Sequence, residues 1–197
     1  MLTVCGYPSA IVLLYAKMEK RPKDAKKVAK NKHAGGLILS PYLYLGPRTA
    51  ASTQFLTAHG ITHVLSIGAT PVSRDSRGVA YNRLSLADDI SSSIEEVSEN
   101  AGTIIEAAKA ANGKILVHCS AAVSRSPTIV AAYLMKNYEM SLKEALGTII
   151  RARPAVCPNS GFLEQLKTLE MKLRGSLSLE VDALPAKKEQ RLELLYG

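Results

Sequence analysis

The sequence predicts an α/β fold, with a mainly parallel central sheet that is flanked by helices. Two observations support this: short apolar runs alternate with longer segments of helical periodicity, and turn residues separate the two kinds. The strand-like runs lie at residues 37–39, 42–45, 61–67, 80–86 and 114–117, and the helical segments at 47–59, 92–111, 127–138, 142–152 and 160–174. Because parallel strands require long crossover connections, this alternation indicates a mainly parallel sheet.

Capping signals mark the last two helical segments. Ser141 followed by Glu144 matches a capping box, in which each side chain bonds the other residue's backbone N–H. Either Asn159 or Ser160 is expected to cap the last helix, and Gly175 is expected to end it. These signals define the helices of the C-terminal half.

The 197-residue chain is long enough for one domain with a substantial core. A Gly-Gly pair at residues 35–36 predicts a boundary. We therefore expect a basic N-terminal extension at 1–36, one folded domain at 37–175 and a C-terminal tail at 176–197. The tail contains one amphipathic turn around Leu192, Leu194 and Leu195, which is suited to docking on the core or on a partner.

Positive charge is concentrated in the extension. Between Lys17 and Lys32, eight basic side chains oppose two acidic ones, so this stretch holds six of the chain's eight net positive charges. Such a segment is expected either to contact an acidic partner or an anionic surface, or to remain a solvated tail. The nearly balanced remainder argues against a nucleic-acid-binding surface over the whole protein.

The cysteine and histidine content indicates which disulfides and metal sites the chain can form, and in which compartment. Three cysteines argue against a disulfide scaffold and favour a reducing compartment, the cytoplasm or the nucleus. Four scattered histidines predict no metal site, and no cofactor is expected. No stretch of the sequence approaches the roughly 18 apolar residues of a membrane span.

The most informative segment is the run from His118 to Ser126, His-Cys-Ser-Ala-Ala-Val-Ser-Arg-Ser, between the strand 114–117 and the helix 127–138. A loop from a strand end to a helix start directs its N–H groups toward one point, which the helix dipole makes attractive to anions. The same field favours the thiolate of Cys119. The planar fork of Arg125 is suited to binding two oxygens of a phosphate. The fold prediction therefore includes a phosphate-binding loop between a central strand and a helix N-terminus, with Cys119 as a nucleophile for phosphoryl transfer.

This loop resembles the signature loop of the cysteine-dependent protein phosphatases, in particular the small, atypical dual-specificity family. Other segments agree with the family pattern: residues 42–46 with Ala50 and Ala51, residues 60–67, and Arg153-Pro154 followed by residues 158–166. The resemblance covers about residues 37–174. It implies hydrolysis of phosphotyrosine and of phosphoserine or phosphothreonine through a phosphocysteine intermediate.

The resemblance also implies further catalytic groups. A general acid is expected on a loop after a strand, where this chain has Asp88 and Asp89. Asp88 fits the family pattern better, Asp89 remains an alternative, and a helix N-cap is the competing interpretation of either residue. Ser126 is expected to bond to the sulfur of Cys119 and ease its departure.

The remaining loop residues are expected to bind the phosphate. The expected substrate-binding set is Ser120, Ala121, Ala122, Val123, Ser124 and Arg125. His118 is expected to bond to the backbone and hold the loop, Ser124 to bond within the loop, and Asn159 to tie the last helix to the site. Cys157 is expected to be a buried thiol, with a protective disulfide as the alternative.

One residue departs from the family pattern. Glycine usually occupies the third position after the cysteine, where this chain has Ala122. Alanine in a left-handed conformation costs about 1–2 kcal/mol. The alternative function is therefore a phosphate-binding, pseudophosphatase-like interaction module whose activity is weak because of Ala122.

Features that the sequence lacks narrow the class of substrate that the resemblance implies. The sequence has no aromatic recognition loop of the kind found in tyrosine-only relatives, and its signature loop has no lysine of the kind found in inositol-lipid relatives. With two Phe and no Trp, the chain has few aromatic side chains with which to form a carbohydrate-binding platform. Phosphorylated proteins are the expected substrates, with an RNA 5′-triphosphate as a further candidate because of the basic extension.

Overall fold

The computed structural model describes residues 35–71 and 77–196. In chain order, the elements are β1 (Gly36–Leu39), β2 (Leu43–Gly46), a 3-10 helix (Arg48–Ala51), α1 (Thr53–His59), β3 (His63–Ile67), β4 (Ala80–Leu84), α2 (Glu95–Ala110), β5 (Ile115–His118), α3 (Arg125–Tyr138), α4 (Leu142–Ala152), α5 (Ser160–Arg174) and α6 (Lys188–Tyr196). The predicted basic extension at 1–36 lies outside the described residues except for Gly35 and Gly36, of which Gly36 begins β1.

The five strands form one mixed sheet in the order β1-β2-β5-β3-β4. β1 is antiparallel to β2, and the other neighbours are parallel, as the sequence predicts. β5 lies at the centre, and all four of its residues are buried. Both Gly46 of β2 and Ser66 of β3 are in register with His118, so the loops that follow these strands meet at one edge. Ligands of open parallel sheets bind at this carboxyl edge.

α3 is the central helix. Its residues from Ser126 to Met135 are buried on every face, because it contacts the sheet and the helices α2, α4 and α5. Burial of its side chains, Tyr133 among them, removes apolar surface from water and fixes the helix against the sheet. The start of α3 is therefore held firmly below the carboxyl end of β5.

Three predicted helices begin elsewhere, and one of them is α3, which begins at Arg125, two residues before the predicted start at Pro127. The segment 47–59 is divided at Ser52, whose extended backbone and side-chain bond from the N–H of Phe55 (3.4 Å) make it the N-cap of α1. α2 begins at Glu95 rather than at residue 92, because Gln165 binds the backbone of Ser92 and Ile94 in an irregular loop. The other helix signals are confirmed: Ser141 forms its capping box, Asn159 caps α5, and Gly175 ends α5 in the left-handed conformation.

The C-terminal segment docks on the domain. α6 contacts α4, and the side chains of Leu179, Leu184 and Leu195 are buried. Arg191 is also buried and donates to the carbonyl of Pro154 at 2.8 Å. Of the two docking modes that the sequence leaves open, the structure therefore has residues 176–196 packed on the core. In the part of the chain that the structure describes, no helix is long and apolar enough to cross a membrane.

Candidate active site

The loop of residues 119–124 lies at the carboxyl edge of the sheet, between β5 and α3. Cys119 is only 2% exposed, and its Sγ accepts a hydrogen bond from the N–H of Ala122 at 3.3 Å. Ser124 is the N-cap of α3, and within the described chain no side chain caps this helix. The first amides of α3 therefore remain available to an anion above the sulfur.

Four consecutive carbonyls of this loop are bonded by groups outside it. The donors are N–H of Arg48 to Ser120 O (3.0 Å), Nη2 of Arg153 to Ala121 O (2.7 Å), Nε of Arg153 to Ala122 O (3.0 Å) and N–H of Cys157 to Val123 O (2.8 Å). In a trans peptide the N–H points opposite to the carbonyl. Holding the carbonyls outward therefore turns the following N–H groups inward, which forms an anion-binding cradle.

Ala122 has the left-handed conformation that its position suggests. Its φ is 52°, and its side chain is fully buried. The departure from glycine therefore leaves the expected backbone geometry in place, at the energetic cost of a left-handed alanine. Its N–H still points at Cys119.

His118 holds the base of the loop, as expected. Its Nδ1 bonds to the carbonyl of Cys119 (3.2 Å) and its Nε2 to the hydroxyl of Ser66 (2.8 Å). A carbonyl only accepts, so Nδ1 carries the proton and Nε2 accepts from Ser66. Burial lowers the pKa of His118. The hydrogen bond to the carbonyl of Cys119 partly offsets this, and the charge of Arg48 lowers the pKa further. The ring is therefore neutral near pH 7 and serves as a brace.

Hydrogen bonds from both terminal nitrogens of its guanidinium orient Arg125. Nη1 donates to the carbonyl of Gly68 at 2.5 Å, and Nη2 donates to Oγ of Ser120 at 3.0 Å. Gly68 has a φ of 58°, and a side chain there would lie 1.9 Å from the carbonyl oxygen of Leu86. Only glycine fits this position, so Gly68 helps to place the guanidinium beside the cradle.

The two candidate acids differ in their surroundings. Oδ2 of Asp88 lies 3.6 Å from Nε of Arg125, and Oδ1 accepts from Ser124 Oγ at 2.7 Å. Asp89 is fully exposed and accepts bonds from the side chain and the backbone of Ser91. These bonds lower the pKa of Asp89, and they hold its carboxylate within its own turn rather than against the loop. The structure thus brings Asp88, and not Asp89, to the loop; neither residue caps α2, whose N-cap is Ile94.

The loop that carries Asp88 is attached to the start of α5. Asn159 donates from Nδ2 to Oδ1 of Asp88 at 3.1 Å, while its own Oδ1 caps the helix. Ile90 packs against Gly161 so closely that a side chain on the glycine would lie 2.0 Å from the Ile90 carbonyl oxygen. Asn159 therefore ties α5 to the site, as predicted.

Two expected bonds are absent. The hydroxyl of Ser126 is fully buried in the first turn of α3 but has no hydrogen-bond partner among residues 35–71 and 77–196, so it does not bond to the sulfur of Cys119. Ser124 does not bond within the loop; its hydroxyl bridges Asp88 and the N–H of Asn159. Its side chain therefore connects the loop of residues 119–124 to the loop that carries Asp88 and to the start of α5.

The remaining expected residues surround this arrangement. Ser120 and Ala121 are exposed at the mouth, and Val123 is half-buried. Cys119 and Cys157 are both free thiols, so the alternative of a disulfide between them is not present. In the described ranges, no three His, Cys, Asp or Glu side chains are grouped as metal ligands.

Comparison with known proteins agrees with this geometry. The family described as dual specificity phosphatase, catalytic domain, matches residues 43–172. The chain belongs to the dual-specificity protein phosphatases. It is 35% identical to Dual specificity protein phosphatase 19 of Mus musculus over 150 residues, covering 76% of this chain and 67% of that protein. It is 36% identical to Dual specificity protein phosphatase 1 of Arabidopsis thaliana over 140 residues, 71% of each chain.

Solved structures lead to the same family. The crystal structure of human DUSP28 superposes with a TM-score of 0.65 at 31% identity, covering 71% of this chain and 95% of that one. This dual-specificity phosphatase is therefore an enzyme that hydrolyses phosphotyrosine and phosphoserine or phosphothreonine in proteins, and the interpretation as a binding module alone is not favoured.

Sequence reasoning missed three positioning groups of this phosphatase. Arg153 braces the loop from 31 residues away, Gly68 accepts from Arg125, and Ser66 orients His118. The only signal for Arg153 was the Arg-Pro pair within the resemblance, which gave the residue no function. Gly68 follows a buried strand, where a glycine is a common turn residue.

Proposed function

We propose that Cys119 is the nucleophile of the phosphatase reaction and that Asp88 is its general acid. In the first step the Cys119 thiolate attacks phosphorus, an S–P bond forms and the P–O bond to the substrate side chain breaks. The Asp88 carboxylic acid gives its proton to the leaving oxygen, which departs as a hydroxyl. The observation that supports this proposal is that the loop joins the three groups: the N–H of Ala122 contacts Sγ of Cys119 at 3.3 Å, and Asp88 contacts both Ser124 of the same loop and Arg125.

The cradle stabilises charge. The inward N–H groups of the loop bind the three non-bridging oxygens of the phosphoryl group together with Arg125, because each Nη of the guanidinium carries a second N–H besides the one that is bonded to Gly68 or Ser120. These donors are fixed before substrate arrives, because the loop carbonyls and both ends of the Arg125 fork are bonded elsewhere. Preorganised donors stabilise the transition state without reorganising during the reaction.

The second step returns the enzyme to its starting state. Water attacks phosphorus, its proton goes to the Asp88 carboxylate, and the S–P bond breaks to release phosphate and the Cys119 thiolate. We propose that the buried hydroxyl of Ser126, which has no partner in the described chain and does not reach the sulfur of the free enzyme, turns to donate a hydrogen bond to the sulfur as the S–P bond breaks. Asp88, with 42% of its side chain exposed, is accessible to the water that this step requires.

A metal-free assay of aryl phosphate hydrolysis tests these roles. We expect Cys119→Ser to abolish turnover, and Asp88→Ala to reduce it by about 10²–10⁴-fold, the usual contribution of a general acid. Asp89→Ala is the matched control, because this neighbouring carboxylate bonds only within its own turn; it should stay within about threefold of wild type. A loss caused by Asp89→Ala but not by Asp88→Ala would reverse the assignment.

A leaving-group series adds a second criterion. An acid matters most for a poor leaving group, so Asp88→Ala should impair a phosphoserine peptide far more than an activated aryl phosphate. Equal loss on both substrates would indicate that Asp88 only supports the fold of the loop.

We also infer a cytoplasmic or nuclear location and an acidic partner or anionic surface for the basic stretch between Lys17 and Lys32. The support is compositional: a thiol nucleophile functions in a reducing compartment, and six net positive charges attract anionic surfaces. Fractionation of cells and the salt dependence of binding to acidic peptides would test the two inferences separately. Binding that does not weaken with salt would contradict the second.

A further inference from the structure

The left-handed backbone conformation of Ala122 requires contacts from outside the loop to hold it in place. A non-glycine residue at a φ of 52° lies in a conformation that costs about 1–2 kcal/mol. Yet its N–H must stay directed at Cys119, whose Sγ it contacts at 3.3 Å. Relaxation of Ala122 toward an ordinary conformation would turn this N–H away from the sulfur and from the phosphoryl group above it.

Arg153 fixes the two peptide groups on either side of Ala122. Its Nη2 donates to the carbonyl of Ala121 at 2.7 Å, and its Nε donates to the carbonyl of Ala122 at 3.0 Å. The first carbonyl belongs to the peptide that carries the Ala122 N–H, and the second to the peptide that follows. Because φ and ψ describe the rotation of these two planes about Cα, one guanidinium restrains both angles.

The backbone holds Arg153 in place for this contact. Arg153 is the C-cap of α4, with φ −139° and ψ 88°, and its N–H donates to Ile149 at 2.8 Å. Pro154 follows, and a proline disfavours the helical conformation of the residue before it. Arg191 then binds the carbonyl of Pro154 at 2.8 Å. The side chain of Arg153 is thereby placed at the end of α4, against the loop.

The electrostatics are consistent with this placement. Burial lowers the pKa of Arg153, and the charge of Cys119 raises it. An arginine remains protonated even when it is partly desolvated, so its donors stay available over the pH range of the reaction.

We propose that Arg153 is a positioning residue that holds Ala122 in its left-handed conformation and so keeps the Ala122 N–H aimed at the reacting group. This inference rests on the proposed role of Cys119. It predicts that dependence on Arg153 is specific to a loop with alanine here, since glycine adopts this conformation without strain.

A double-mutant cycle tests the proposal. The variants are Arg153→Met, which keeps an unbranched stem but no donor, Ala122→Gly, and the two combined, each assayed for kcat and KM on an aryl phosphate. We expect Arg153→Met to lower kcat about 10–100-fold, the effect of misplacing a catalytic group, with a smaller change in KM. The kcat of Ala122→Gly is the reference for the second arm of the cycle, and in that background the further loss from Arg153→Met should shrink to about threefold or less. An equal loss in both backgrounds would overturn the proposal.

Two further measurements separate the possible causes of a kcat loss in Arg153→Met. Arg151→Met removes an exposed arginine of the same helix that stacks on Tyr196, and it should leave kcat unchanged. The amide resonance of Ala122, followed by NMR during a titration with inorganic phosphate, reports the position of the N–H without requiring turnover. If the wild type and Cys119→Ser turn over equally, the proposed role of Cys119 fails; if this amide is unmoved by Arg153→Met, the positioning role fails. If Arg153→Met does not fold, Arg153→Lys replaces it, because lysine retains one donor nitrogen. We expect Arg153→Lys to lower kcat by a smaller factor, again mainly in the background that has alanine at position 122.

Discussion

Arg125 and Asp88 face each other beside the phosphate-binding loop, with Nε of the arginine 3.6 Å from Oδ2 of the aspartate. The two Nη atoms of Arg125 are already bonded to Gly68 and Ser120, whereas Nε is buried and has no hydrogen-bond partner in the described chain. The arginine therefore presents Nε toward the acid. Under the proposed roles, phosphate binding by Arg125 and proton donation by Asp88 take place next to each other, and both depend on the neighbours that hold each side chain.

Gly68→Ala tests the support of Arg125. The new Cβ would lie 1.9 Å from the Leu86 carbonyl oxygen and 2.7 Å from Nη1 of Arg125, so the backbone must move away from the guanidinium. A hydrogen bond to a charged group contributes about 1.5–3 kcal/mol, so we expect kcat/KM to fall about 10–100-fold.

Gly78→Ala is the matched control for this change. Gly78 also has a positive φ, 78°, but a side chain there meets nothing within 4 Å. Both variants carry the strain of a left-handed alanine, but only Gly68→Ala adds a steric clash, so only Gly68→Ala should lose activity per folded molecule. Equal kcat/KM values, from Michaelis–Menten measurements on both variants, would show that the Gly68 carbonyl does not position Arg125.

Gly161→Ala tests the attachment of the acid loop to α5. Its Cβ would lie 2.0 Å from the carbonyl oxygen of Ile90, which must move together with the loop that carries Asp88. We expect kcat on a phosphoserine peptide to fall about tenfold or more, because a displaced acid no longer reaches the leaving oxygen. Gly102→Ala, in α2 with open space around it, should keep full activity and gain up to about 1 kcal/mol of stability. Retention of activity in Gly161→Ala would indicate that the loop adjusts without moving Asp88.

His118 gives the fold a defined pH dependence. Burial lowers its pKa below 6.5 in the folded state, so between the folded value and about 6.5 the unfolded chain binds more protons. The free energy of unfolding must therefore rise with pH in this window. The contribution is fully present above about pH 6.5 and is lost as the pH falls toward the folded value.

Chemical denaturation between about pH 8 and about pH 5 measures this effect. His118→Gln should be less stable at high pH and should show a flatter pH dependence than wild type. His59→Gln is the control, since burial, with the charge of Lys114, also lowers the pKa of His59 at a site distant in sequence from the loop. A pH dependence unchanged by His118→Gln but removed by His59→Gln would assign the titration to His59.

Glu170 joins the C-terminal segment to the domain. It is fully buried and accepts from the N–H of Leu142 (2.7 Å) and from the N–H (2.9 Å) and hydroxyl (2.7 Å) of Ser178. Glu170→Ala leaves these donors without a partner, so we expect a loss of about 3 kcal/mol in unfolding free energy. Glu164→Ala removes an exposed carboxylate of the same helix, whose ion pair with Lys167 contributes about 1 kcal/mol at most. Equal losses would show that residues 176–196 do not depend on Glu170 for their attachment.

The sequence predicted the parts of this site that are local in the chain. Cys119, the loop amides and Arg125 come from one strand–loop–helix segment, so their arrangement follows from a single motif. The choice between Asp88 and Asp89 required the structure, because a shift of one residue in an irregular loop changes which carboxylate faces inward. That loop is shaped by Gln165, more than 70 residues away, which also delays the start of α2 to Glu95.

The supporting contacts were beyond sequence reasoning for the same reason. Arg153 donates to the loop carbonyl of Ala122, and Arg125 donates to the carbonyl of Gly68. Both bonds join residues that are distant in the chain, and the sequence around a single arginine or glycine does not indicate its partner. The basic extension and the cellular location remain predictions from composition.

The most direct test is to identify the covalent intermediate. The enzyme is mixed with an aryl phosphate without metal, quenched in acid within one turnover, digested and examined by mass spectrometry. We predict one phosphoryl group on the peptide that contains Cys119, and none on Cys157 or in the Cys119→Ser variant. Turnover without a phosphorylated Cys119 peptide, together with activity that survives Cys119→Ser, would contradict the assignment of Cys119 as the nucleophile.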